Sequence, residues 1–258
     1  MSKKKHSLTV FLGTLFCIAL LFAGCGQKSG QSQGESKKEI LVGAVGAMTG
    51  PSAQLGANLR QGVDLAVEEI NAAGGINGRM IKVIYRDDEA DPTKSLNAVQ
   101  ELITKEKVVA IIGPVNTTCA LAVQPFISQS KIPNINGGCT GTELIDPQKY
   151  PYTFRTILNN RDQAEGMVNY AVNDRGWKRV AIVRDTTALG VGGAADMKYF
   201  LSRLGLSPVA EVTYTVGEQD LTAQALALKE AKPDVALFWT LGVDGARLMK
   251  ALQKIDYL

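Results

Sequence analysis

From Glu39 onward, short apolar runs alternate with longer amphipathic segments. ILVGAV, IKVIY, VVAIIG, IPNI, RVAIV, PVAEV and VALFW are of strand length, and several are apolar throughout, as strands covered on both faces must be. Between them the period changes. Leu59, Val63, Ala66, Val67 and Ile70 trace one face of a helix that ends at Gly74 and Gly75. Asp91 and Pro92 form a cap and first position for a second helix, whose face carries Leu96, Val99, Leu102 and Ile103. Leu248, Leu252 and Ile255 repeat the pattern near the end. Strand and helix in alternation predict an α/β fold of doubly wound parallel sheets. The alternation breaks once, between Gly137 and Arg161, where turn formers and two prolines surround one short YTFR strand. This predicts two lobes, 39–157 and 158–258, with the crossing near Ile157 to Asn160. A ligand cleft is expected between them, at the carboxyl ends of the strands.

Before Glu39 the pattern is different. Lys3, Lys4 and Lys5 precede a mostly apolar run from Leu8 to Phe22, with small Ala23 and Gly24 ahead of Cys25. That is the layout of a secretory leader, predicted over 1–24. Phe22-Ala23-Gly24-Cys25 resembles a bacterial lipobox, with Phe22 where leucine is usual. A lipidated Cys25 would hold the protein at a membrane surface, and polar residues through Lys38 would form a flexible tether.

Removing that leader changes the charge balance. The chain carries 28 basic and 25 acidic residues, and the leader holds three of the lysines and no acid, so the mature charge is zero. No basic field for nucleic acid remains. The single histidine, His6, leaves too, and with it the commonest general base and metal ligand. Cys119 and Cys139 are left as an even pair, open to a disulfide or to two buried thiols. No CxxC spacing supports zinc, and neither a metal nor a cofactor is expected.

The loops after the strands carry the chemistry. GAMTGPSAQLG, GPVNTTCALA and NGGCTGTEL are rich in Gly, Ser, Thr and Asn. Such loops hold a carboxylate through backbone N–H groups and hydroxyls, or serve as ordinary turns and caps. The ordered series GAMTGPSAQLG, GVDLAVEEINAAGGINGR, YRDDEADP and IIGPVNTT closely resembles the leucine/isoleucine/valine-binding family of solute-binding proteins for ABC importers, and the likeness runs from Glu39 to Leu258. The resemblance implies a type I periplasmic-binding fold that closes on a small amino acid and delivers it to a membrane permease. It also implies that Thr117 and Thr140 hold the ligand carboxylate, with Gly138 offering its carbonyl to the ammonium group. Tyrosines that several relatives place around the ligand fall on Leu55, Leu189 and Leu241, which leaves the ligand side chain open among branched-chain and other amino acids, amides, urea and small carboxylates. Cysteines of some relatives fall on Ala90 and Asn116, so their bridge is absent. By the same comparison the chain stops inside the second lobe. A sensing receptor of the same fold is the alternative to transport.

An enzyme reading has two formal motifs. GVGGAA at Gly190–Ala195 fits a dinucleotide pattern, with Glu211 at ribose distance, but DTTAL separates it from its strand. GQSQG at Gly30–Gly34 fits a nucleophile elbow but lies in the tether. Asp87, Asp88 and Asp185 read as solvated loop acids, and no catalytic residue is expected.

Overall fold

The computed structural model describes residues 39–257, so the leader, Cys25, the tether and its GQSQG motif lie outside the described residues. β1 (Ile40–Gly46), α1 (Ala53–Ala72), β2 (Ile81–Asp87), α2 (Pro92–Thr104), β3 (Ile111–Ile112), α3 (Thr117–Ser130), β4 (Asn134–Asn136) and β5 (Thr153–Arg155) build the first lobe. Its five strands are parallel, in the order β2-β1-β3-β4-β5. The second lobe follows as α4 (Asn160–Asn169), β6 (Val180–Asp185), α5 (Ala188–Arg203), β7 (Ala210–Tyr214), α6 (Thr222–Ala231), β8 (Val235–Trp239) and α7 (Gly242–Lys254). Its three strands are parallel in the order β7-β6-β8. The strand order of each sheet reverses beside its first strand, and ligands of open α/β sheets bind at such points.

RVAIV shows why an uninterrupted apolar run is a strand here. Val180 and Ile182 pack with α4 and α5 on one face, while Ala181 and Val183 pack with α6 and α7 on the other. In the first lobe Val45, Val99, Leu102, Ile111, Val123 and Ile127 form the core between the sheet and α2 and α3. Asp91 caps α2 by accepting from Lys94 N at 2.8 Å, with Pro92 in the first helical position. Gly74 and Gly75 both take positive φ where α1 ends, a conformation that costs glycine no Cβ clash.

Three details depart from the sequence pattern. VVAIIG gives a regular strand only at Ile111–Ile112, although Val109 N still donates to Leu41 O and Gly113 N to Ile135 O. PVAEV moves to Ala210–Tyr214, because Pro208 has no N–H to give the ladder and Val209 N makes the first bond, to Val180 O. The α1 stripe is helical but thinly covered: Val63 is buried, whereas Ile70 stays 37% exposed. That helix packs on β1 and β2.

The candidate Cys119–Cys139 bridge is replaced by two free, buried thiols. Cys139 Sγ donates to Pro114 O at 3.0 Å. Burial pushes the Cys119 thiol up to about 12, and Cys139 is raised further by the same cause. Both are inert as thiolates at neutral pH. Among the described residues no helix is long and apolar enough to cross a membrane.

Candidate functional site

The loops at the carboxyl ends of both sheets converge on one cavity of about 470 Å³. Leu55, Thr117, Gly138, Thr140, Leu189 and Leu241 all line it, so the structure brings every predicted ligand-contact position to one place. The first four come from the loops and helix starts after β1, β3 and β4, and the two others from those after β6 and β8.

Helix starts dominate the polar part of the wall. Ser52, Asn116, Thr187 and Leu241 are the residues before α1, α3, α5 and α7, and all four line the cavity. None makes a side-chain cap to its own helix. Asn116 instead donates from Nδ2 to Ser52 Oγ at 3.1 Å, and Thr187 donates from Oγ1 to Asp185 Oδ1 at 2.5 Å. The start of α3 therefore faces the cavity without a side-chain cap, whereas at α1 Ala53 N donates to Gly50 O and at α5 Ala188 N donates to Thr118 Oγ1. Thr117, the first residue of α3, is 3% exposed, and its Oγ1 has no hydrogen-bond partner among the described residues. A buried hydroxyl without a partner costs free energy, which a bound acceptor would recover.

Among the described residues no lysine or arginine lines the cavity, and the formally charged Glu89 in its wall has its carboxylate 2.7 Å from Lys94 Nζ. The apolar wall is formed by Leu55, Leu189 and Leu241 with Met167, Phe238 and Trp239. Hydrogen bonds join the lobes beside it, among them Ala188 N donating to Thr118 Oγ1 at 3.2 Å and Thr142 Oγ1 donating to Asp196 Oδ2 at 3.0 Å.

Residue type misled at Ser52, Asn116 and Thr187. Each is a favoured cap, and only their position after a strand marked them as cavity-facing. Trp239 was legible as a strand residue alone.

The rival motifs have structural explanations. GVGGAA lies inside α5, not in a strand-to-helix turn. A Cβ on Gly190 would fall 2.3 Å from Asp185 O, and one on Gly193 2.4 Å from the Trp239 ring, so both glycines serve close packing. Glu211 accepts from Arg184 Nε at 2.6 Å and Lys198 Nζ at 2.9 Å, which makes it the centre of an ion cluster. Asp87 accepts from Met48 N, Thr49 Oγ1 and Glu89 N. Burial opposes its charge, yet these hydrogen bonds hold its carboxyl below the usual range. Asp88 accepts from Ala90 N and Ser95 Oγ, and its burial pushes it up. Asp185 is spent on the Thr187 amide and hydroxyl, and neither it nor Asp88 is solvated, because each is fully buried and held by these local hydrogen bonds. Among the described residues no group of three or more His, Cys, Asp or Glu is placed to hold a metal ion.

Comparison with known proteins matches residues 39–258 to a family model described as periplasmic binding protein. A Leu/Ile/Val-binding protein homolog 2 of Brucella abortus is 30% identical over 233 residues, covering 90% of this chain and 59% of its own length. A type 1 periplasmic binding protein from Bordetella pertussis superposes with a TM-score of 0.78 at 31% identity, over 84% of this chain and 60% of that one. A solute-binding protein of an ABC transporter from Rhodopseudomonas palustris, solved in complex with 4-hydroxybenzoate, gives 0.75 at 27% identity over 84% and 58%. The chain thus spans about three fifths of the length of these relatives.

Proposed function

The chain belongs to the periplasmic binding protein family, and on that premise we propose that it binds a small apolar amino acid, branched-chain foremost, outside the cytoplasm and delivers it to the membrane permease of an ABC importer. Thr117 and Thr140 hold the carboxylate, and the Gly138 carbonyl meets the ammonium group. Leu55, Leu189 and Leu241 face the ligand side chain. One observation carries the reading: a cavity without a cation presents an unpartnered, buried Thr117 hydroxyl at the open start of α3. Neutral donors at helix N-termini suit a carboxylate, and they do so without drawing in multivalent anions. Leucines in place of rings leave aliphatic surface, which matches a branched side chain. The relatives named for leucine, isoleucine and valine lend the same direction.

A thermal-shift screen tests this. L-leucine, L-isoleucine or L-valine at about 100 times the dissociation constant is expected to stabilise the protein by about 2.7 kcal/mol, and no shift with any amino acid would refute the assignment. The Phe238–Trp239 pair in the wall favours a second reading, an aromatic carboxylate such as the 4-hydroxybenzoate found in the Rhodopseudomonas palustris neighbour. A shift with benzoates alone would select it. For the lipid anchor, Cys25→Ser is expected to move the protein from the membrane pellet to the soluble fraction. Retention in the pellet would contradict anchoring at that thiol.

A further inference from the structure

Asn160 is the first residue of α4 and is completely buried. Its neighbours fix the orientation of its amide, since only one places donors against acceptors. In that orientation Nδ2 donates to Thr140 Oγ1 at 2.5 Å and to Thr140 O at 3.1 Å, and Oδ1 accepts from Gly193 N at 3.2 Å. The Asn160 backbone N–H also donates to Thr140 O, at 2.6 Å. Gly193 lies in α5, where the Trp239 indole packs so closely that a Cβ would sit 2.4 Å from the ring. One side chain therefore links Thr140, on the first-lobe wall of the cavity, to the helix that backs Trp239 on the second-lobe wall.

A hydroxyl carries one proton and two lone pairs. With one lone pair of Thr140 Oγ1 occupied by the Asn160 amide, its proton is free to be given elsewhere. We propose that Asn160 is a positioning residue that sets the Thr140 hydroxyl as a hydrogen-bond donor to an anionic group in the cavity, and that ties this donor to the second lobe. The proposal rests on the reading of the cavity as a carboxylate site. Without the amide, the Thr140 hydroxyl would rotate among several partners, and the two walls would lose a shared contact.

Two measurements on the full chain test it, one with ligand and one without. In unliganded protein, the Asn160 side-chain amide resonance, identified by its disappearance in Asn160→Asp, is expected to move in Thr140→Val. An unmoved resonance would overturn the bridge. With L-leucine and 4-hydroxybenzoate as probes, Asn160→Ala is expected to weaken calorimetric binding about tenfold in the wild-type background and less than about threefold in a Thr140→Val background. An equal loss in both backgrounds would show a merely structural role and overturn the proposal. If the wild-type chain binds neither probe, the cavity reading fails, and the ligand-facing half of the proposal fails with it. The resonance measurement still decides the bridge in that case.

Discussion

Two sets of helix starts in this molecule use the same residue types for opposite ends. Asp91 and Asn159 precede α2 and α4, and each bends its side chain back to its helix, accepting from Lys94 N and Asp162 N at 2.8 Å. Ser52, Asn116 and Thr187 precede α1, α3 and α5 and do not. The difference follows location: the last three line the cavity, while Asp91 and Asn159 do not. An amide already satisfied by its own cap offers nothing to a ligand. Forgoing the residue's own cap gives up about 1 kcal/mol per helix; at α3 it keeps the positive helix end available to an anion, while at α5 Thr118 Oγ1 of the facing lobe takes the Ala188 amide. The comparison teaches that stability and binding compete for the same backbone groups.

The largest effect expected from breaking this contrast is at the open end. Thr117→Val should weaken L-leucine binding roughly ten- to 150-fold by calorimetric titration, because a hydrogen bond to a charged group is worth about 1.5 to 3 kcal/mol. Its unliganded melting temperature should stay put, since the hydroxyl has no protein partner to lose. Unchanged affinity with a lowered melting point would remove Thr117 from the ligand. The closed end should respond the other way. Asp91→Ala should cost about 1 kcal/mol in denaturant unfolding and leave affinity intact, and a loss of affinity there would erase the distinction between the two sets.

A smaller effect sharpens the electrostatic side. The cavity holds no cation, whereas the second lobe gathers Arg184 and Lys198 around Glu211. Hydrogen bonds from Lys198 and then Arg184 hold the Glu211 carboxyl below its ordinary value of 4.5. A lowered carboxyl stabilises the fold above its unfolded pKa, and the contribution disappears as pH falls through the folded value. Stability should therefore drop on acidification below about pH 4.5, and Glu211→Gln should flatten that limb of a melting-temperature profile. An unaltered limb would show that the cluster contributes nothing.

Much of this was legible in the chain. RVAIV is readable as a doubly covered strand because both of its faces meet helices, and the Asp91-Pro92 start needs only local chemistry. Leu55, Thr117, Gly138, Thr140, Leu189 and Leu241 were placed by family resemblance, because spacing alone leaves such loops as turns. What escaped depends on contacts between distant segments. No local rule says that Asn116 will prefer Ser52, 64 residues away, to its own helix. The Asn160–Thr140 link crosses between the lobes, and the packing of Trp239 on Gly193 joins two second-lobe elements far apart in sequence. How far the α1 stripe is covered escaped for the same reason, since periodicity reports which face is apolar and not what covers it. The cysteine pair was an even count without a geometry, and the structure holds the two as free, buried thiols.

The central claim is that open helix starts and hydroxyls, with no cation, hold a carboxylate. Calorimetric titration of L-leucine against L-leucinamide, which keeps the side chain and the ammonium group but replaces the carboxylate by a neutral amide, tests it most directly. The expected result is binding of L-leucine and an affinity for L-leucinamide lower by about 100-fold or more, as two lost charge-assisted hydrogen bonds would give. Equal affinity for the two would contradict the account.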